Sequence, residues 1–250
     1  MPNGGPQPPV PKPQALARPG GVGNVLIAHS AAERYETSQR PCTPSSIRMI
    51  CAHSLLARRA RNGQCALVTG DIEVVFETHS WSEDNDIGRA TGWNDGRLSE
   101  RGRELARELG KRRRDDGLVA VFTSDLGRAV ETATLAFHGC GLPILHDWRL
   151  RECDYGEHNG MPAALVHAER QAYLDTPYPG GESWRSAVMR VGRFVGDLQL
   201  RWVGQRVLVI GHVATRWGLD HCINGERLDD LIGADFSWTE GWEYRIPAAP

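Results

Sequence analysis

Two apolar runs of this 250-residue chain end on histidine: "VVFETH" on His79 and "VLVIGH" on His212. A third run, "FTSDLGR", carries Arg128 into what reads as the first turns of a helix, and Glu152 stands in the intervening loop "RLRECDYGEHNG". One histidine at the end of a strand ordinarily packs or makes a local hydrogen bond. Two of them, with an arginine and a carboxylate in the loops between, suit a cationic pocket for a dianion that holds a nucleophile and an acid.

The elements that would position these groups are regular after residue 70. Val74 to Phe76 reads as a buried strand. "SERGRELARELGKRRR" reads as a helix with Ser99 as N-cap, Glu100 in its first turn and basic residues in its last. "LVAVFTS" and "LPILHD" are further strands, "DLGRAVETATLAF" a helix, and Ser183 to about Trp202 a long helix behind "PGGE". "RVLVIGH" is an apolar, β-branched strand followed by the helical "VATRWGLDHCI", with a last strand near "WEYRI". Strands that alternate with helices and read as nearly continuous apolar runs indicate an α/β fold, a mostly parallel sheet with helices on both faces. In such sheets reactive groups gather where strand carboxyl ends meet helix N-termini.

Residues 1–70 are a different kind of sequence. They hold eight basic residues against two acidic ones, although the whole chain carries a net charge of −2. The first twenty residues include seven prolines, which suit neither helix nor sheet. The expectation is a disordered Pro/Arg-rich extension over 1–70 and a catalytic domain over 71–250. An organelle transit peptide is the other reading of the same leader. The basic run Lys111 to Arg114 is followed at once by Asp115 and Asp116 and reads as a helix terminus, so no nucleic-acid partner is expected. No apolar run approaches the roughly 20 residues needed to span a bilayer, and no membrane partner is expected. Six cysteines without CxxC pairs suit reduced thiols in a cytoplasmic protein better than a disulfide framework or a zinc site. Nothing in the sequence specifies an oligomeric state.

From about Ile72 to Ile246 the chain resembles the histidine phosphatase superfamily, with its phosphoglycerate mutase-like fold. "THSWSEDN" stands where that family has Arg-His-Gly, and Asn85 matches an asparagine that often follows. "GRATGWNDGRLSERG", "TSDLGRAVETA", "RLRECDYGEHNG", "PGGES" and "VLVIGHVATR" match the family's later segments in order. The resemblance implies that His79 is a nucleophile attacking phosphorus in line to form a phosphohistidine. It implies that Glu152 protonates the leaving oxygen and then takes a proton from water. Arg128 and His212 would bind the equatorial phosphate oxygens, and Asn85 would donate a further hydrogen bond. No metal or other cofactor is implied, and the implied substrate is a small phosphorylated metabolite.

The family's arginine is replaced here by Thr78 and its glycine by Ser80. A bidentate permanent charge gives way to one neutral hydroxyl, at a cost of about 2 to 4 kcal/mol in transition-state stabilisation by analogy with a lost oxyanion donor. Arg89, Arg151 and Arg216 are candidates to replace it, and the hydroxyls of Thr78 and Ser80 are candidates to bind phosphate directly. A metal-independent phosphomonoesterase is the leading expectation. A non-catalytic phosphate-ligand binder or regulator and a phosphoglycerate-type mutase are the alternatives. The short segment between Glu152 and "PGGE" leaves little room for a lid that keeps water from a phosphoenzyme, which favours hydrolysis.

Overall fold

The computed structural model describes residues 69–248. The expected 1–70 extension therefore lies outside the described residues, apart from its last two positions. Five strands form one sheet in the order β3-β2-β4-β1-β5. They are β1 (Ile72–Thr78), β2 (Ala120–Thr123), β3 (Ile144–His146), β4 (Arg206–Gly211) and β5 (Trp242–Ile246). The first four run parallel, and β5 pairs antiparallel along the free side of β1. The α/β architecture read from the alternating pattern is thus present, with an antiparallel edge.

Alternation along the strands divides the core between the two faces. Ile72, Val74 and Phe76 of β1 join Val207 and Val209 of β4 beneath α5 (Trp184–Arg201), which contributes Val191, Phe194 and Leu198. Val75, Val121, Leu208 and Ile210 point the other way, toward α2 (Glu100–Arg113) and α3 (Gly127–Phe137), and meet Leu109, Ala133 and Phe137. Each large apolar side chain so buried stabilises the fold by roughly 1.5–3 kcal/mol. The caps fall where the sequence puts them: the hydroxyl of Ser99 accepts from Gly102 N, and that of Ser183 from Ser186 N.

The basic run at the end of α2 is engaged within the fold. Arg112 and Arg113 both contact the buried carboxylate of Glu77, and Arg114 reaches the carbonyl oxygens of Gly110 and Ala136. Three short helices were not legible from periodicity: α1 (Glu83–Asp86), α4 (Ala163–Glu169) and α7 (Leu228–Gly233). With α6 (Val213–Leu219), the last two surround an aromatic cluster that includes Tyr155, Tyr178, Trp184 and Trp217. No helix among the described residues is long and apolar enough to cross a membrane.

Candidate active site

Strand register brings the two histidines abreast. Thr78 of β1 lies opposite Gly211 of β4, so His79 and His212 each follow one residue beyond the pair, and His79 N donates to Gly211 O over 2.8 Å. Their rings lie 5.0 Å apart between centroids, tilted by 51°. Strand β2 ends one pairing earlier, with Thr123 opposite Ile210, and delivers Ser124 and then Arg128 in the first turn of α3. The chain reverses from β4 into α6 so tightly that a Cβ on Gly211 would stand 2.4 Å from the hydroxyl of Thr215. That hydroxyl accepts from His212 N and donates to Leu150 O.

Local hydrogen bonds define the form of His79. Its Nδ1 is 2.7 Å from Ser80 O, an acceptor only, so Nδ1 carries the proton and Nε2 the free lone pair. The Arg128 Nε–H points at that lone pair over 3.3 Å. Burial, and then the Arg128 charge, lower the pKa of the partly exposed His79 from 6.5 to about 3, against the opposing pull of the Ser80 carbonyl. The ring is therefore neutral and nucleophilic through the neutral and mildly acidic range.

His212 is fully enclosed and follows the same logic. Its Nε2 lies 2.7 Å from Ser124 Oγ, and its Nδ1 accepts from Arg128 Nη2 over 3.3 Å. The imidazole is thus a neutral donor from Nε2, and burial together with Arg128 and His79 holds its pKa well below the usual histidine value. Arg128 is 1% exposed. Its remaining N–H groups reach Gly92 O at 2.9 Å and Asn94 O at 3.4 Å, which fixes the guanidinium between the histidines. Burial lowers its pKa, with Glu152 the main opposing influence, but a guanidinium remains charged.

The carboxyl of Glu152 sits at the N-terminus of α6. Oε1 accepts from Cys153 N at 2.8 Å and Ala214 N at 3.0 Å, and Oε2 from Val213 N at 3.2 Å. Burial raises its pKa above the ordinary carboxyl value, partly countered by the Cys153 amide, Arg128 and the Ala214 amide. Two further side chains hold its main-chain carbonyl: Arg190 Nη2 at 2.7 Å and Trp93 Nε1 at 2.6 Å. Trp93 lies between Gly92 and Asn94, whose carbonyls hold Arg128, so one loop contacts both the arginine and the acid-bearing segment.

His79, His212 and Arg128 are brought together, and the Glu152 carboxyl lies at the adjoining helix terminus, bonded to the amides of Cys153, Val213 and Ala214. Thr78 is half-buried at the end of β1 and makes no side-chain hydrogen bond within the described residues. Ser80, expected as a phosphate-binding hydroxyl, instead donates from Oγ to Gly102 O over 2.7 Å, and its amide donates to Thr132 Oγ1. Asn85 is exposed, and its Oδ1 accepts from the amide and hydroxyl of Ser82 in the cap of α1, so its Nδ2 is the group left to meet a ligand.

Two candidates for the replaced arginine are engaged elsewhere. Arg151 forms a bidentate pair with Asp125 and lies over the Trp93 ring at 4.5 Å. Arg216 contacts Asp220 and the Tyr244 hydroxyl. Arg89 is exposed, with no side-chain partner among the described residues. Clefts of about 460 and 340 Å³ open beside α5, and the histidines line neither. Ser124, Trp93 and Arg190 are the site's supporting residues that the sequence reading passed over.

The fold and the site together define an α/β protein that presents two neutral histidines around one buried guanidinium, with a carboxyl of raised pKa at an adjoining helix N-terminus. The model of the histidine phosphatase superfamily (branch 1) matches residues 76–234, and the chain belongs to that superfamily. It is 35% identical over 182 residues to a 2,3-bisphosphoglycerate-dependent phosphoglycerate mutase of Methylobacterium sp. (strain 4-46), covering 66% of this chain and 86% of the relative. A mutase of the same name from Methylobacterium radiotolerans is 39% identical over 155 residues, covering 56% of this chain and 73% of the relative. Among solved structures, YhfR of Bacillus stearothermophilus superposes with a TM-score of 0.61 at 30% identity, over 69% of this chain and 90% of that one. A mycobacterial glucosyl-3-phosphoglycerate phosphatase shares the fold, with a TM-score of 0.58 at 23% identity over 65% of this chain and 87% of its own.

Proposed function

We propose that this chain is a metal-independent phosphatase that hydrolyses a small phosphomonoester through a phosphohistidine on His79. The observation that carries the reading is the Nδ1 contact to Ser80 O, which leaves Nε2 of His79 unprotonated beside Arg128. In the first step the Nε2 lone pair forms the N–P bond, the ester P–O bond breaks, and Glu152 gives its proton to the leaving oxygen. Arg128 stabilises the charge on the equatorial oxygens, and His212, donating from Nε2 to Ser124 Oγ and accepting at Nδ1 from Arg128, holds that guanidinium in place. In the second step water attacks phosphorus and yields a proton to Glu152, and the N–P bond breaks to release phosphate and neutral His79.

The mutase names of the similar proteins favour a second reading, in which the phosphoryl group passes to another hydroxyl instead of water. The partial exposure of His79 favours water as the acceptor. The test is hydrolysis of an aryl phosphate in the presence of a chelator, comparing wild type with His79→Ala, alongside an assay for phosphoglycerate interconversion. Chelator-resistant turnover lost in His79→Ala, with no interconversion, supports the phosphatase. Interconversion faster than hydrolysis selects the mutase, and ester binding without either activity selects a regulator.

A further inference from the structure

Arg190 lies in the middle of α5 and is 1% exposed, yet every N–H of its guanidinium has a partner. Nε donates to Glu182 Oε2 at 3.2 Å. Nη1 donates to the carbonyls of Arg149 at 2.8 Å and Arg151 at 2.7 Å. Nη2 donates to Glu152 O at 2.7 Å and to Glu182 Oε1 at 2.6 Å. Glu182, from the "PGGES" loop, also accepts from Asp154 N at 3.1 Å. One planar fork therefore gathers the main chain on both sides of the acid, three carbonyls before the Glu152–Cys153 bond and, through Glu182, the amide that follows it.

Such a fork is too elaborate to be explained by helix packing, which an apolar side chain at this position of α5 would serve. Burying a guanidinium is costly unless all its donors are matched, and here the matched groups are those that set where residue 152 stands. The carboxyl of Glu152 has short reach, so its distance from a leaving oxygen follows its backbone, and an error of about 1 Å can cost on the order of a hundredfold in rate.

We propose that Arg190 and Glu182 form a positioning pair that holds Glu152 in line with the leaving-group oxygen. Neither touches the substrate; they act through the acid. This rests on the phosphatase reading, and the experiment separates the two. Arg190→Lys keeps the charge but replaces five fixed donors with three on a flexible stem. Glu182→Gln removes one of the two carboxylate acceptors that face the fork. Both variants are assayed by kcat/KM on phenyl phosphate, whose leaving group needs a proton, and on 2,4-dinitrophenyl phosphate, whose leaving group does not.

A misplaced acid lowers kcat/KM for phenyl phosphate by about thirtyfold or more, within the range general acid catalysis supplies, and leaves the dinitrophenyl ester within about threefold of wild type. Equal losses on both esters, or no loss on either, overturn the proposal while leaving the phosphatase reading intact. Wild-type protein that hydrolyses neither ester, or His79→Ala that hydrolyses both, overturns the phosphatase reading and the pair's role with it.

Discussion

The hydroxyl of Ser124 stands 2.7 Å from Nε2 of His212, the ring atom through which that histidine donates. Ser124 also accepts from Leu126 N at the start of α3, so the residue that orients His212 belongs to the turn that delivers Arg128. Replacing it with alanine leaves the buried imidazole free to turn. Ser124→Ala is expected to lower kcat by about tenfold, the equivalent of one hydrogen bond of about 1.4 kcal/mol. Steady-state kinetics checks this, with a melting temperature close to wild type showing that the loss is local.

Thr78 faces Gly211, which has no side chain, across the β1–β4 pair. The Thr215 side chain occupies the space beside Gly211, and the Thr78 side chain itself has no hydrogen bond to lose within the described residues. Thr78→Arg should therefore restore a second guanidinium and raise kcat/KM for phosphomonoesters by about tenfold or more, since a charged donor at a phosphoryl transition state is worth at least about 2 kcal/mol. Unchanged activity would show that Arg128 already suffices, and reduced activity that the longer side chain obstructs the pocket.

The pH profile follows from two opposite requirements. His79 must be neutral, and its lowered pKa, down to about 3, means that no acid limb from this residue appears near 6.5. Glu152 must be protonated for the first step, and its raised pKa places the alkaline limb above the ordinary carboxyl range. Glu152→Gln should abolish the alkaline limb along with most of the activity, as measured by kcat/KM across pH 4 to 9.

Stability should fall on the acid side for a related reason. His79 and His212 have folded-state pKa values below the unfolded value of 6.5, so their contribution is complete above pH 6.5 and is lost as the pH falls toward the folded-state values. Glu152, with a raised pKa, acts in the opposite sense and offsets part of the effect. Each histidine contributes a slope of at most about 1.4 kcal/mol per pH unit. Thermal unfolding between pH 7.5 and 5 should show a steadily decreasing melting temperature; a flat curve would mean that the rings take up protons in the folded state.

Gly102 tests how closely the nucleophile loop is held. A Cβ there would fall 1.8 Å from Trp81 O, while Gly102 O receives the Ser80 hydroxyl. Gly102→Ala must push α2 away from the loop that follows His79. A loss of about 1 to 3 kcal/mol in denaturant unfolding is expected, as for other overpacked sites, together with reduced turnover.

His79, His212 and Arg128 were legible because each stands where a strand ends or a helix begins, whereas Glu152 lies in a loop and was singled out as that loop's carboxylate and by the resemblance to the family's acid-bearing segment. Their supports were not. Ser124 meets His212 across 88 residues of sequence, Trp93 meets Glu152 across 59, and Arg190 meets Glu152 across 38. Arg190 in particular sits within a helix whose polar positions are otherwise mostly solvated, and nothing local distinguishes it. Ser80 and Asn85 read as ligands for phosphate because their hydroxyl and amide stand near His79, but main chain of α2 and the cap of α1 engage them first. Of the short helices α1 is held by the Ser82–Asn85 cap, whereas α4 and α7 have no side-chain cap, and four to seven residues make too few turns for a periodic signal.

The strand order also has a bearing on biosynthesis. β1 and β2 are made early, but they are not neighbours; β4 is inserted between them and brings His212 with it. The two histidines can therefore stand side by side only once β4, which lies in the last fifth of the sequence, has taken its place between β1 and β2.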